Sequence, residues 1–377
     1  MFIKAATIFT FGADLNMYRP WLHAPRPPQG ELSARSFGNY LNDGSRPNIE
    51  IALIGFSGTW ADRVRRHLYT YYWDHGDLSV RDLGNLRKAK VDFAIPLLKE
   101  LYGSQILPVL IGTEPGMCQA QYLAFAELNR EIGICSIDSS IRVSAEIPEA
   151  DPLLALDRAV HRNSNPSFHL SHIGDQRHLS DPQLDQLFLG RNFERYALGK
   201  SRADLTDLEP SIRDVDLTVL NINSVLAAEA PAQSEISPSG FSLQEAGQLA
   251  YYAGNSDRLS SFGIYGARPD GEAHARELTA AAYAQLIWYF LHGVSRRHAD
   301  FPRSTSGLVE YVVDTKVSDR FVFWRSPRSD RWWVQVPLDK QHGEARNRLV
   351  SCSYADYLAT TNAGQLPERL IHAFSRY

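Results

Sequence analysis

The feature that most constrains the fold is an alternation that begins at residue 49. Short apolar runs at 49–56, 79–83, 106–111 and 133–137 alternate with helically spaced stretches at 60–71, 92–102 and 119–129. Strands that alternate with helices of this length form βαβ units and a parallel sheet. The sequence therefore predicts a three-layer α/β/α core around a mainly parallel sheet.

Residues 145–215 are less regular, with one helix start at Ser180-Asp181-Pro182. An apolar strand follows at 217–222. Ser242-Leu243-Gln244-Glu245 is a capping box, in which serine and glutamate satisfy opposite backbone donors. Its helix is expected to run to Ala253, with Gly254 as the stop. A strand at 259–265 and a long, nearly all-apolar helix at 278–291 close the core.

After Arg303 the period changes. Val309-Tyr311-Val313, Phe321-Phe323 and Trp332-Val334-Val336 alternate at spacing two, so a small antiparallel C-terminal appendage is predicted, ending in one or two short helices. The first 48 residues contain Pro25, Pro27, Pro28 and Gly30 and read as an irregular N-terminal arm. The expected division is 1–48 (arm), 49–303 (α/β domain) and 304–377 (meander and short helices packed on the core).

Composition narrows the functional classes. A chain of 377 residues buries a large core without staples. Its 39 basic and 43 acidic residues give a net charge of −4 with no long like-charged run, which excludes a general nucleic-acid or anionic-membrane partner. Cys118, Cys135 and Cys352 form neither a disulfide framework nor a zinc spacing. The longest apolar stretch, 279–294, contains Gln285 and His292 and falls short of a bilayer span. No secretory leader is recognisable at the start, so a cytoplasmic protein without membrane insertion is expected.

Open α/β sheets bind ligands beyond the carboxyl ends of their strands. Three such ends carry polar residues: 109–116, 136–142 and 220–224. In order and spacing they resemble the ureohydrolases (arginase, agmatinase and formimidoylglutamase). That family carries Gly-Gly-Asp-His-Ser, Asp-Ala-His-x-Asp and Asp-x-Asp after successive strands. There the motifs hold two manganese ions that activate a bridging water. The likeness extends to residues 209–216, 237–241, 252–257, 285–290, 329–333 and 352–354, and resembles a formimidoylglutamase-like branch. It implies a soluble α/β protein of a family that forms closed oligomers.

The ligands do not carry over. The family's first histidine falls on Pro115, after Glu114. The Asp-Ala-His-x-Asp run falls on Asp138, Ser139, Ser140, Ile141 and Arg142, and the Asp-x-Asp pair on Asn221 and Asn223. A later carboxylate becomes Gly266, before Pro269. Only Asp138 is retained as a family ligand. A guanidinium about 5 Å from a divalent ion is repelled by roughly 6–7 kcal/mol at an effective dielectric near 20. Asparagine also replaces a carboxylate poorly on such an ion. The reading is a non-catalytic protein with a vestigial pocket at Glu114, Pro115, Asp138, Ser140, Arg142, Asn221 and Asn223. It has no catalytic residue and no cofactor, and it acts by binding a protein partner, a second copy or a small ligand. Asp138 and Arg142 are expected either to form an ion pair in the emptied pocket or to leave the arginine facing solvent. The alternative is a manganese-dependent hydrolase of non-peptide C–N bonds in amidine-like substrates, which requires a different register.

Other residues have plainer readings. His161, His169, His172 and His178 match no metal spacing. Cys118 and Cys135 read as small buried residues. Ser139 and Ser140 lack a nucleophile elbow, and 112–116 lacks the lysine of a phosphate loop. Trp324, Trp332 and Trp333, beside Arg325, Arg328 and Arg331, read as core packing or as a partner surface.

Overall fold

The structure is a computed structural model and describes residues 15–26, 32–42, 48–75, 78–128, 132–144, 156, 159–160, 168–302, 304–314, 320–336 and 348–375. His161 lies outside them.

The described strands are β1 (Leu22–His23), β2 (Ile51–Gly55), β3 (Val80–Leu86), β4 (Leu107–Ile111), β5 (Ile132–Ile137), β6 (Phe168–Asp175), β7 (Glu194–Ala197), β8 (Leu217–Asn221), β9 (Ser261–Tyr265), β10 (Val309–Asp314), β11 (Arg320–Arg325), β12 (Trp332–Val336) and β13 (Arg348–Cys352). The first nine form one sheet in the order β1-β3-β2-β4-β9-β8-β5-β6-β7. All its pairings are parallel except β1 with β3. The last four form a separate antiparallel meander. The architecture is thus the mainly parallel α/β sheet with an antiparallel appendage that the sequence predicts.

Side-chain alternation explains the continuous apolar runs. Ile51 and Leu53 of β2 join one core layer, whereas Ala52 and Ile54 join the layer on the opposite face. Helices Gly58–Leu68, Leu243–Gly254 and Ala273–Ser295 cover the first face, and Val91–Gly103 and Gln119–Ala126 the second. A strand covered on both sides has no polar face to show.

The capping box at Ser242 forms as predicted, with Ser242 and Glu245 bonding each other's backbone. Gly254 differs from expectation: it is the last residue inside the helix, not a stop beyond it. A Cβ there would lie 2.0 Å from the Phe290 carbonyl oxygen. The glycine is needed for close approach to the Ala273–Ser295 helix.

The regions read as irregular contain elements without a clear period. The N-terminal stretch supplies the edge strand β1 and the short helix Phe37–Asn42. Strand β6, Phe-His-Leu-Ser-His-Ile-Gly-Asp, is buried along its whole length despite its polar residues. The helix foreseen from Ser180 begins at Leu184. No helix among the described residues is long and apolar enough to cross a membrane.

Candidate functional site

Strands β4, β9, β8 and β5 are consecutive in the sheet and parallel, so their carboxyl ends open on one edge. Asp138 follows β5, Asn221 ends β8, Asn223 lies in the turn Ile222–Ser224, and Gly266 follows β9. Topology alone brings the predicted residues together.

Their chemistry is that of an ion-pair network. Arg142 Nε donates to Asp138 Oδ2 at 2.5 Å, and both side chains are buried. The other end of the guanidinium meets Glu235: Nη1 donates to Oε1 at 2.8 Å and Nη2 to Oε2 at 3.3 Å. Asn221 Nδ2 donates to Asp138 Oδ2 at 2.8 Å, and the Ser139 backbone N–H donates to Asp138 Oδ1 at 2.7 Å. With its amide oriented to satisfy its neighbours, Asn223 accepts from Arg142 Nη2 at 2.9 Å and donates to the Gly266 carbonyl at 3.2 Å. Of the two placements open to Arg142, the structure has the ion pair and not the solvent-facing side chain.

Gly266 allows this arrangement. Its φ of +87° favours glycine, and a Cβ there would lie 1.8 Å from Asn221 Oδ1. The asparagine amide fills the volume that a side chain at 266 would need. Glu114 is exposed at the mouth, whereas Pro115 and Ser140 are buried.

The electrostatics favour a closed pair. Burial pushes the Asp138 carboxyl above its ordinary range, although Arg142 and the Ser139 N–H pull it down. Burial works against the charge on Arg142 too, but Asp138 and Glu235 outweigh it and raise its pKa. Sequence reasoning missed Glu235. The available signal was charge balance: a buried arginine facing one aspartate and two neutral amides invites a second carboxylate.

The residues do not fit a pair of divalent ions. The space within ligand distance of Asp138 is taken by Arg142 Nε, Asn221 Nδ2 and the Ser139 N–H. Among the described residues, no group of three or more His, Cys, Asp or Glu side chains is placed to hold a metal.

No family model matches the sequence, and no curated protein matches it significantly. Solved structures do match. A manganese-containing formiminoglutamase of Trypanosoma cruzi superposes with a TM-score of 0.60 at 15% identity, covering 68% of this chain and 97% of that one. A formimidoylglutamase of Bacillus subtilis gives 0.58 at 15%, covering 68% and 89%. The agmatine ureohydrolase of Thermoplasma volcanium gives 0.51 at 13%, covering 66% and 90%. The fold is that of the arginase superfamily. In this arginase-like chain the polar edge of the sheet carries a guanidinium held by carboxylates and amides.

The remaining candidates separate. His169 and His172 lie on β6, and His178 is exposed in the turn beyond it. All three cysteines are buried thiols, and burial pushes Cys118 up to about 12. Of the two readings of the tryptophans, core packing describes Trp332 and Trp333. Trp332 stacks on Tyr357 and packs against Tyr311 within the meander. Trp333 faces the other way and lies under the Arg213 guanidinium, 4.8 Å from its ring centre. Both indoles are buried. Trp324 is partly buried and donates to Gln335.

His172 makes a pH prediction. It is fully buried, and neither ring nitrogen has a hydrogen-bond partner. Burial holds its pKa down at about 4; Asp175 opposes that shift, while Arg195 and Arg142 reinforce it. The folded protein thus binds fewer protons than the unfolded chain between pH 6.5 and 4. Stability is full above about 6.5 and falls as acid is added, by about 2–3 kcal/mol at pH 4.5. Urea unfolding at several pH values should show this loss, and His172→Leu should remove that part of the slope. An unchanged slope in the variant would mean that His172 is not the proton acceptor.

Proposed function

We propose that this protein is a non-catalytic member of the arginase superfamily that acts by binding, with a fixed guanidinium in place of a metal centre. The observation that carries the reading is Arg142 Nε lying 2.5 Å from Asp138 Oδ2, the one carboxylate retained at a family ligand position. A metal ion would have to displace Arg142 from Asp138 and then endure its charge nearby. Hydrolysis of an amidine by this fold needs hydroxide generated near neutral pH, and no residue of the network supplies it. Asp138 accepts hydrogen bonds from its neighbours and is sealed from substrate. The network serves to hold the ends of β5, β8 and β9 in register.

The test is manganese retention. Purified protein is incubated with excess manganese, desalted and measured by elemental mass spectrometry. The expected content is below about 0.1 ion per chain, because the needed donors are absent or engaged. Retention of one or two ions, with amidine hydrolysis that disappears in Asp138→Ala, would overturn the proposal in favour of the hydrolase.

A further inference from the structure

A second group of residues lies at the opposite end of the large sheet. His75 is in the loop that leads into β3, and His292 is in the last turn of the helix Ala273–Ser295, which follows β9. Both are therefore near the amino ends of the parallel strands, whereas the Arg142 network closes their carboxyl ends. Trp73 packs against His75 with ring centres 4.5 Å apart. Trp288 packs against both imidazoles, at 4.9 Å from His75 and stacked on His292 at 5.4 Å.

The two imidazoles meet edge to edge. His75 Nδ1 lies 3.4 Å from His292 Nδ1, while the ring centres are 4.8 Å apart, so the nitrogens are the facing edges. That separation is long for a hydrogen bond. It matches two nitrogens that share one ion: at about 2.0–2.1 Å each and a tetrahedral angle, the ligand atoms stand about 3.4 Å apart. The His75 side chain is 2% exposed and its Nε2 has no hydrogen-bond partner, so Nδ1 is the nitrogen through which it meets its surroundings. Burial holds His75 down at about 4 and also lowers His292. Both rings are therefore neutral at pH 7, and each offers a lone pair. Asp74 Oδ1 lies 3.1 Å from the same His75 nitrogen, and the helix C-terminus also favours a cation. Arg296, just past the helix end, repels one.

We propose that His75 and His292 chelate a divalent transition-metal ion of the copper–zinc class through their Nδ1 atoms, with water completing its shell. Imidazole nitrogen suits these ions and ranks copper above zinc, with manganese last. Two imidazoles are fewer ligands than a structural zinc site has, so the ion is exchangeable and the fold does not depend on it. The inference is independent of the metal-free reading of the Arg142 network, because manganese is the weakest ion for this pair.

The test titrates copper(II) chloride into the full-length protein and reads tryptophan emission, since copper on this pair would quench Trp73 and Trp288, two of the seven tryptophans. Saturable quenching is expected with a dissociation constant on the order of 10 μM, with zinc about tenfold weaker by competition and no binding of manganese at about 1 mM. His292→Gln should weaken copper at least about tenfold, whereas His298→Gln, at an exposed histidine outside the pair, should leave it unchanged. Asp74→Asn should weaken it about threefold, and Arg296→Gln should tighten it by a similar factor. Unchanged melting temperatures are the folding check. Asp74 and Arg296 are exposed, so their variants decide the matter should His292→Gln not fold. The proposal would be overturned by an absence of saturable quenching up to about 1 mM copper, by parental affinity in folded His292→Gln, or by an equal loss in His298→Gln. Should His292→Gln not fold, affinity indifferent to both Asp74→Asn and Arg296→Gln would overturn it.

Discussion

Replacing Arg142 by alanine is expected to cost about 3–5 kcal/mol of stability, because it leaves a buried carboxylate without its counter-ion. Asp138 would keep the Asn221 amide and the Ser139 N–H and hydroxyl, and Glu235 would lose both of its hydrogen bonds to Arg142. The penalty should depend on pH in a defined direction. Asp138 already titrates above its ordinary range because of burial, and removing the cation raises it further. A carboxyl whose folded pKa exceeds its unfolded value contributes stability that is present at low pH and is lost as pH rises through the folded pKa. Arg142→Ala should therefore be most impaired near pH 7 and approach the parent near pH 5. Arg142→Lys should recover little, since an ammonium cannot span Asp138, Glu235 and Asn223 as a guanidinium does. The double variant Arg142→Met with Asp138→Leu should be much less damaged than the sum of its single changes. Denaturant unfolding of six proteins at both pH values measures all of this: the parent, Arg142→Ala, Arg142→Lys, Arg142→Met, Asp138→Leu and the double variant. A loss below about 1 kcal/mol for Arg142→Ala would mean that the pair is not sealed from water.

Whether the network was legible in the sequence depends on which part is considered. The strand ends were readable because β4, β5, β8 and β9 are apolar runs followed by polar residues. The residues that the sequence reading set on the family's ligand positions, Pro115, Arg142, Asn221 and Asn223, lie at or just beyond those strand ends. What one strand end cannot show is how the gap closes. Glu235 lies in the loop beyond β8, and its role depends on a contact made 93 positions from Arg142. Gly266 is informative only once Asn221 is seen in the volume its side chain would fill. The missed strands have a related cause. β6 buries two histidines and a serine through contacts with β5, β7 and the strand ends, so hydrophobic periodicity carries no trace of it. β1 has only two residues and is a strand solely because β3 lies beside it.

Segments away from the Arg142 network have a different role, and their predicted consequence lies at the seam between the meander and the main sheet. Residues 209–213, 252–257 and 329–333 are far apart in sequence yet meet there. Arg331 donates to the Asn255 carbonyl at 3.0 Å and pairs with Glu209 at 3.3 Å. Arg213 is the centre of the joint. It pairs with Glu209 at 2.9 Å, donates to Ser351 Oγ at 3.1 Å and to the carbonyls of Trp332 and Cys352, and covers the face of Trp333. Truncating it to alanine removes a buried charge, its acceptors' donor and a cation–π contact together, an expected loss of about 3–5 kcal/mol. The damage should be local before it is global. Amide hydrogen exchange in β12 and β13 should accelerate by orders of magnitude, while β4, β5 and β8 keep protection closer to that of the parent. Arg213→Lys should recover less than about half of the loss, because an ammonium cannot both stack on Trp333 and reach two carbonyls. Equal acceleration in both sheets would show that the meander and the core unfold as one unit. Unchanged exchange in β12 and β13 would show that Arg213 does not fasten them.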